Sequence, residues 1–346
     1  MKVLITGAAG FIGSNLVHYL SEVRSDWKLF ALDSLTYAGN YANIKSLCSS
    51  EKEMPARVVF LHKDITDDEA ISAVFTENKF DLVFHLAAES HVDRSILSAR
   101  EFVETNVIGT QVLLSAARAN NVNRFVHIST DEVYGSLGDT GVFYENTPLD
   151  PTSPYAASKA ASDLMALAAF KTHSQNVVVT RCTNNYGPYQ FPEKFIPLFI
   201  TNSFENKKLP VYGDGMNVRS WLHVRDHCDG LLRAAEKGRA GEVYNFGGGP
   251  ESEIPNLHVS KMILKLMDKP ESLLEYVSDR PAHDKRYAVD FSKSKAELGW
   301  SPTVNFDDGL RNTVKWYLDN SDWWTEIKSG HYKDYYKQQY GGRLAV

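Results

Sequence analysis

In the first half of the chain, short uninterrupted apolar runs alternate with longer segments whose apolar residues recur at helical spacing. Runs at 2–6, 29–32, 58–61, 81–86, 125–128 and 176–181 predict strands buried on both faces; a strand with one wet face would alternate apolar and polar positions. Helices are predicted at 14–23, from about 67, at 101–119 and at 156–172. Alternation of this kind builds a doubly wound parallel sheet. After about residue 182 the rhythm breaks. The loop 184–192 is rich in Gly, Pro and aromatics, and the remainder reads as a smaller α/β unit suited to holding a substrate. Residues 220–224 and 243–246 read as strands around a helix at 226–236, so the chain is expected to return to the first sheet at least once. The expected division is interleaved: 1–183 with returning segments at about 218–248, and 184–346 for most of the second domain.

The first strand runs into Gly7-Ala8-Ala9-Gly10-Phe11-Ile12-Gly13 and then into a helix. Strand, glycine turn and helix are the context of a dinucleotide fingerprint. Gly7, Gly10 and Gly13 allow a tight turn and close approach to a pyrophosphate, and the helix N-terminus offers free N–H groups. The spacing Gly-x-x-Gly-x-x-Gly differs from the commoner Gly-x-Gly-x-x-Gly. The second strand ends at Asp33, 20 residues after Gly13, where an acid bonds ribose hydroxyls and repels a 2′-phosphate. No Arg adjoins it, which favours NAD over NADP; the competing reading is a turn-forming Asp. Together these predict a Rossmann-type NAD-binding domain. Ser34, Leu35 and Thr36 open a polar loop expected under the adenosine. Asp64 follows the third strand and either reaches the adenine or caps the next helix. Leu86, Ala87 and Ala88 end the fourth strand with residues that admit a cofactor close to the backbone. His91, with no second ligand spaced for a metal, reads as a supporting residue.

The richest stretch is 129–159. Thr130, Asp131 and Glu132 follow the apolar run 125–128, which places them at a strand's C-terminal end, where open α/β sheets bind ligands. Tyr155 and Lys159 are four apart on a predicted helix and share a face. A free phenol titrates near ~10, so work near neutrality takes about 4 kcal/mol of differential stabilisation. A neighbouring ammonium and a bound nicotinamide cation both favour the phenolate. Tyr155 is then a candidate base on an alcohol, with Thr130 holding the same oxygen. Asp131 and Glu132 suit an acid and a base if their surroundings separate them. Alcohol oxidation needs no such pair, whereas loss of water beside a carbonyl does. Each motif alone is ordinary: Tyr-x-x-x-Lys is commonly a solvated helix face, and Asp-Glu after a strand is commonly a turn.

Composition narrows the class. Of 346 residues, 43% are hydrophobic and 23% charged, and the net charge is −6, values of a globular protein. The absence of a long basic run argues against nucleic acid as the main partner. Cys48, Cys182 and Cys228 lie far apart, with neither metal spacing nor a disulfide framework. A reducing, cytoplasmic location is expected, with no secretory signal and no membrane span. Later candidates for binding a nucleotide-sugar are Pro210, Val211 and Tyr212, an aromatic able to stack on a base; Arg219, a guanidinium fork for phosphate; and the loop 279–284 with Asp279, Arg280 and His283. Surface Arg residues are more often just solvated. The apolar residues of helices 101–119 and 156–170 exceed what a sheet face needs; either both simply cover the sheet, or they pair with a second subunit as a helix bundle.

With these motifs in order, the chain resembles the extended short-chain dehydrogenase/reductase family over nearly its whole length, and within it the NAD-dependent nucleotide-sugar 4,6-dehydratases. The carrying motifs are 6–13, 35–40, 87–95, 129–135, 184–189 and 192–197. The glycine turn and Tyr-x-x-x-Lys mark the superfamily; Thr130-Asp131-Glu132 marks dehydratases. The resemblance implies NAD as tightly held cofactor, dTDP-glucose as substrate, deoxysugar synthesis as setting and a homodimer. It implies that Phe11, Ile12, Asp33, Thr36, Asp64, Ile65, Ala87, Ala88, Thr105 and Asn185 line the NAD site. It further implies that Ser90, Asn184, Lys194, Phe195, Tyr212, Arg219, Asn256, Arg280 and His283 hold substrate. Tyr155, with Lys159 and Thr130, would serve C4 oxidation; Glu132 and Asp131 would serve elimination across C5 and C6. Ala282 replaces the family's usual Gly and Phe195 its usual Leu. A 4,6-dehydratase or 4-epimerase for a UDP- or GDP-linked sugar is the enzymatic alternative, and an idle nucleotide-sugar sensor the non-enzymatic one.

Overall fold

The computed structural model describes residues 1–48, 57–279 and 283–329. A seven-stranded parallel sheet forms its centre. Its strands are β1 (Lys2–Thr6), β2 (Lys28–Asp33), β3 (Val58–His62), β4 (Leu82–His85), β5 (Arg124–Thr130), β6 (Val177–Cys182) and β10 (Val243–Phe246), in the order β10-β6-β5-β4-β1-β2-β3. The apolar runs become strands because both faces are covered. Val3 and Ile5 of β1 belong to one buried layer and Leu4 to the opposite one, as a period of two requires. Each such fully buried side chain contributes roughly 1.5–3 kcal/mol. The order reverses direction between β1 and β4, and a sheet of this type binds ligands outside the strand ends at that point.

Helix α1 (Phe11–Val23) follows β1, and α2 (Asp68–Asn78) begins at Asp67, whose carboxylate accepts from the Ala70 amide. The helix predicted at 101–119 runs through an α-turn (Arg100–Val103), a π-helical stretch (Glu104–Gly109) and α3 (Thr110–Ala119). Inside the π stretch Asn106 is buried; its side chain donates to the Glu89 carbonyl and to Ser158 Oγ, and accepts from the Glu89 amide. Helix α4 (Pro154–His173) packs beside it, capped by Ser153 with Pro154 in the first turn, a start that needs no amide hydrogen there.

The rest of the chain builds two small sheets. Strands β7 (Asn184–Tyr186), β9 (Val218–His223) and β11 (Glu253–Pro255) form one; β8 (Leu209–Tyr212) and β12 (Leu274–Val277) form the other. Helices α5 (Phe195–Phe204), α7 (Asn256–Leu266), α8 (Phe306–Asp319) and α9 (Ser321–Ser329) supply much of their cover, around a core that includes Phe199, Trp221, Ile263, Leu310 and Trp324. The stretch read as a returning strand at 220–224 is β9, and it joins the small sheet: β7 and β11 occupy its two edges. The strand that returns is β10, beside β6. Between them α6 (Val224–Lys237) packs Val224, Cys228 and Leu231 into the same layer as Val3 and Ile5. Among the described residues no helix is long and apolar enough to cross a membrane.

Candidate active site

A cleft opens over the C-terminal ends of β1, β4 and β5. Of the residues expected at a cofactor, Gly7, Gly10, Phe11, Ile12, Gly13, Asp33, Ser34, Thr36, Asp64, Ile65, Leu86, Ala87, Ala88, Ser90, Thr105, Tyr155, Lys159 and Asn185 all line it. Leu35 is not among the lining residues; it sits at φ +53° and its amide donates to Asp33 Oδ1 at 2.8 Å. The other Asp33 oxygen accepts from the Ala9 amide at 2.9 Å, so Asp33 ties the glycine turn to the loop after β2. Burial raises its carboxyl above the usual range, against the amides of Leu35, Ala9 and Gly10. Asp64 caps its own turn through Thr66 and does not cap α2, where Asp67 takes that place.

The glycine turn is built for close approach. Gly7 has φ +67°, and a Cβ there would stand 2.7 Å from the Ala87 amide nitrogen. A Cβ on Gly13 would stand 2.0 Å from the Gly7 carbonyl oxygen. The turn therefore lies flat against α1, with a cradle of bare backbone at the helix N-terminus, which fits a pyrophosphate. Gly13→Ala is expected to push the turn off α1, lowering stability by about 1–3 kcal/mol. It should also leave the purified chain with little bound NAD; a full complement of nucleotide together with an unchanged unfolding midpoint would contradict this.

The reacting end lies where β5 stops. Thr130 ends the strand and caps the short 3₁₀ turn Asp131–Tyr134, its Oγ1 accepting from the Glu132 amide at 3.2 Å. The same hydroxyl donates to Asp131 Oδ1 at 3.3 Å. Asp131 is 2% exposed and its Oδ2 is buried without a hydrogen-bond partner. Burial, then the Glu132 carboxylate, push its carboxyl well above the usual range. Both effects favour the protonated form of Asp131, the form of a proton donor. Tyr155 stands on the first turn of α4 and is buried; burial and then Glu132 raise its phenol, with Thr130 opposing. Lys159, one turn on, donates from Nζ to the Ile128 carbonyl at 2.8 Å. Burial brings its ammonium down to about 8, against the Asp163 carboxylate. The five residues singled out in 129–159 therefore meet around the end of β5, with Thr130, Asp131, Tyr155 and Lys159 lining the cleft.

Beneath Lys159 lies a buried network that sequence patterning did not identify. Asp163 Oδ2 accepts from Arg181 Nε at 2.8 Å, and its Oδ1 is 3.2 Å from His127 Nε2. Burial alone would raise the Asp163 carboxyl, but Arg181, then His127 and Ser129, hold it down at about 2. An ordinary Asp titrates near ~3.9. Its contribution, on the order of 2 kcal/mol, is thus fully present above pH ~4 and is lost as pH falls toward 2. Asp163→Asn leaves Arg181 buried and unpaired and is expected to cost about 3–5 kcal/mol. Urea unfolding at neutral pH checks this; an unmoved midpoint would show the pair to be dispensable. The visible signal was a histidine inside each of two apolar runs, His85 and His127. His85 bridges Thr6 Oγ1 at 2.9 Å and Thr110 Oγ1 at 2.8 Å.

Asn184 and Lys194 line the same cleft, and Lys194 Nζ donates to the Ser90 carbonyl at 3.1 Å. The remaining substrate candidates gather in the second half. Arg219 on β9 is buried, donates to the Asp284 carbonyl at 3.0 Å and lies 4.6 Å over the Tyr287 ring. Its charge lowers the Asp131 carboxyl and the Tyr287 phenol, both of which Glu132 raises. That places Arg219 and Tyr287 beside the carboxylate pair; Tyr287 had no local motif to announce it. Tyr212, partly exposed at the end of β8, packs edge-on to His283 at 5.8 Å, and His283 Nδ1 lies 2.6 Å from Asp279 Oδ1. Asn256 starts α7, its amide donating to the Asn217 carbonyl. Pro210 and Val211 are buried and Val211 is part of the apolar core. Phe195 packs on Phe199 at 4.5 Å and stacks with Trp221. Arg280 lies outside the described residues. His91 accepts from the Arg94 amide and lies 3.5 Å from Glu193; no group able to hold a metal occurs among the described residues.

Comparison with known proteins agrees with this geometry. A family model described as GDP-mannose 4,6 dehydratase matches residues 4–313. A dTDP-glucose 4,6-dehydratase of Actinoplanes sp. is 49% identical, over 94% of this chain and 100% of the relative. Escherichia coli dTDP-glucose 4,6-dehydratase 1 is 46% identical over 99% of this chain and 100% of its own. The crystal structure of DesIV, a dTDP-glucose 4,6-dehydratase from Streptomyces venezuelae with NAD and TYD bound, superposes with a TM-score of 0.88 at 48% identity, covering 95% of this chain and 100% of that one.

Proposed function

The chain belongs to the GDP-mannose 4,6-dehydratase family, and on that premise we propose that it is an NAD-dependent dTDP-glucose 4,6-dehydratase, a lyase that converts dTDP-glucose to dTDP-4-keto-6-deoxyglucose and water. The family description mentions GDP-mannose, while the full-length relatives act on dTDP-glucose by name; the substrate reading follows the relatives. The observation that carries it is the buried Asp131, next to Glu132 in the chain, in the cleft that Thr130, Tyr155 and Lys159 also line, with its Oδ2 unpartnered. An epimerase has no use for that pair.

NAD, when bound, would supply a hydride acceptor for C4 and, in its reduced form, a hydride donor for C6. The protein's own work is proton transfer and positioning. Tyr155 takes the C4 hydroxyl proton, with Thr130 holding the same oxygen and the Lys159 charge favouring the phenolate. The resulting ketone acidifies C5, where Glu132 removes a proton. Asp131 gives its proton to the departing C6 hydroxyl, which leaves as water. Glu132 returns a proton to C5 as C6 is reduced, which leaves the C4 ketone in place; Tyr155 releases its proton to solvent and Asp131 regains one, so both are restored for the next turnover. Tyr212, Asn256, Asp279 and His283 hold the nucleotide end, Arg219 holds a phosphate close to the carboxylate pair, and Asn184, Lys194 and Ser90 lie nearer the sugar. The division into 1–183, with a returning strand, and 184–346 separates these two tasks.

A homodimer through the 101–119 and 156–170 helices completes the reading. Val103, Ile108 and Leu164 are 49%, 51% and 58% exposed there, apolar side chains that a second copy would cover. Leu164→Glu is expected to shift the chain to monomer in sedimentation; an unchanged mass would place the contact elsewhere. The deciding test of function is incubation of the purified chain with dTDP-glucose and no added NAD, followed by mass spectrometry. Loss of one water supports both the reaction and the retained cofactor. Failure even with added NAD, but dehydration of a UDP- or GDP-sugar, would move the substrate. Silence with every sugar would leave an idle sensor.

A further inference from the structure

The loop after β7 contains a backbone outlier. Tyr189 sits at φ +65°, a left-handed conformation that is uncommon for a bulky residue and persists only where its surroundings hold it. They do so from both halves of the molecule. His18 of α1 stacks on the Tyr189 ring at 5.5 Å with 6° between planes. Trp316 of α8 and Trp323 of α9 meet it edge-on at 4.7 and 5.9 Å. On one side of Tyr189, the Pro188 carbonyl accepts from Asn15 Nδ2 of α1 at 2.9 Å. On the other, the Gln190 carbonyl accepts from the Tyr317 hydroxyl. Gln190 lines the cofactor cleft, and its side-chain amide donates to the carbonyl of Asn185, another lining residue, at 3.0 Å.

The second of these helices, α9, also reaches the opposite wall of the cleft. Trp323 Nε1 donates to Asn43 Oδ1 at 2.8 Å, and Asn43 Nδ2 donates to the Ala9 carbonyl at 2.9 Å. Ala9 is in the glycine turn, and its amide is already held by Asp33. His18 Nε2 closes the circuit on the Asn43 carbonyl at 2.8 Å. One aromatic clasp therefore fastens the pyrophosphate turn and the Gln190 wall to each other, through His18, Asn43, Tyr189, Trp316, Tyr317 and Trp323, none of which lines the cleft.

We propose that this clasp, Tyr189 with Trp316, Tyr317 and Trp323, is a positioning device that sets how long NAD stays bound. The inference rests on the reading of the cleft as the NAD site. A cofactor that is regenerated in every turnover gains nothing from leaving, and a wall tied at both edges has to open for it to leave.

Tyr317→Phe removes one hydrogen bond and keeps the ring; Trp323→Phe removes one hydrogen bond and replaces the indole with a smaller aromatic ring. The full chain of each variant is purified, and three quantities are read: NAD carried per chain, its release rate during a chase with excess competing nucleotide, and kcat at saturating added NAD. Each variant is expected to release NAD about tenfold faster, equivalent to about 1.4 kcal/mol, with kcat unchanged. Tyr189→Gly is the control for folding, because glycine adopts the left-handed conformation without steric cost; it too should release NAD faster. A lowered unfolding midpoint of the NAD-stripped chain with wild-type release would make the clasp merely structural and overturn the proposal. Wild-type release in Tyr189→Gly would overturn it as well. A wild-type chain that neither carries nor binds NAD would instead overturn the reading beneath it.

Discussion

Glu132→Gln mixed with dTDP-glucose is expected to accumulate reduced nicotinamide while formation of the 4-keto-6-deoxy product falls about 10²–10⁴-fold, the usual worth of a positioned base. Glu132 is held by the turn that Thr130 caps, and its carboxylate is close enough to raise both Asp131 and Tyr155. Glutamine keeps the shape and removes the base. C4 oxidation needs only Tyr155, Thr130 and Lys159 and goes forward, even eased by loss of a negative charge that opposes the phenolate. Elimination then stalls. Rapid mixing followed in the near-ultraviolet absorbance of reduced nicotinamide reads the first step, and mass spectrometry reads the second. Full turnover with no absorbance change would remove Glu132 from the mechanism.

Tyr155→Phe should stop the sequence earlier. The phenol is buried and raised in the free protein, so its ionisation leans on the Lys159 charge beside it and on the cation that binds with NAD. Phenylalanine fills the same space with no proton acceptor. Neither reduced nicotinamide nor product is expected, with turnover down about 10³-fold and substrate still bound. The contrast with Glu132→Gln is the diagnostic part: one variant traps a reduced cofactor and the other never makes it. Near-normal rates in Tyr155→Phe would assign the base to another group.

Much of this site was legible in the sequence because its parts are local. Gly7, Gly10 and Gly13 occur within one turn, Thr130 to Glu132 are consecutive, and Tyr155 and Lys159 are one helical turn apart. Strand ends fix where each group emerges, so the apolar runs alone placed them on one sheet edge. What was not legible depends on partners distant in the chain. Tyr287 approaches Glu132 across 155 residues, and Asp163 finds His127 and Arg181 on two neighbouring strands. The strand at 218–223 looked like a return to the main sheet because its composition is that of a buried strand. Its neighbours, β7 and β11, are three-residue strands too short to announce the second sheet that claims it. Val211 and Phe195 were read for binding, and both have packing duties that an apolar side chain in a motif does not reveal.

The π-helical stretch at Glu104–Gly109 gives its helix something like a reading frame. An α-helix turns about 100° per residue, and i→i+5 bonding takes one extra residue into the turn. The two flanking α segments are thus out of phase. That offset lets Thr105 face the cleft and Asn106 bury its amide, while Ile108 stays exposed beside a Gly109 that has no room for a Cβ, which would lie 2.5 Å from Ile65. Substitutions at the exposed positions leave the frame intact. Removing a single residue from 104–109 would restore a regular helix and change which residues of the stretch face the cleft, without turning the flanking segments. Thr105, which lines the cleft, and the exposed Ile108 both lie in that stretch, so the cleft and an exposed apolar position share one frame and a one-residue deletion reaches both.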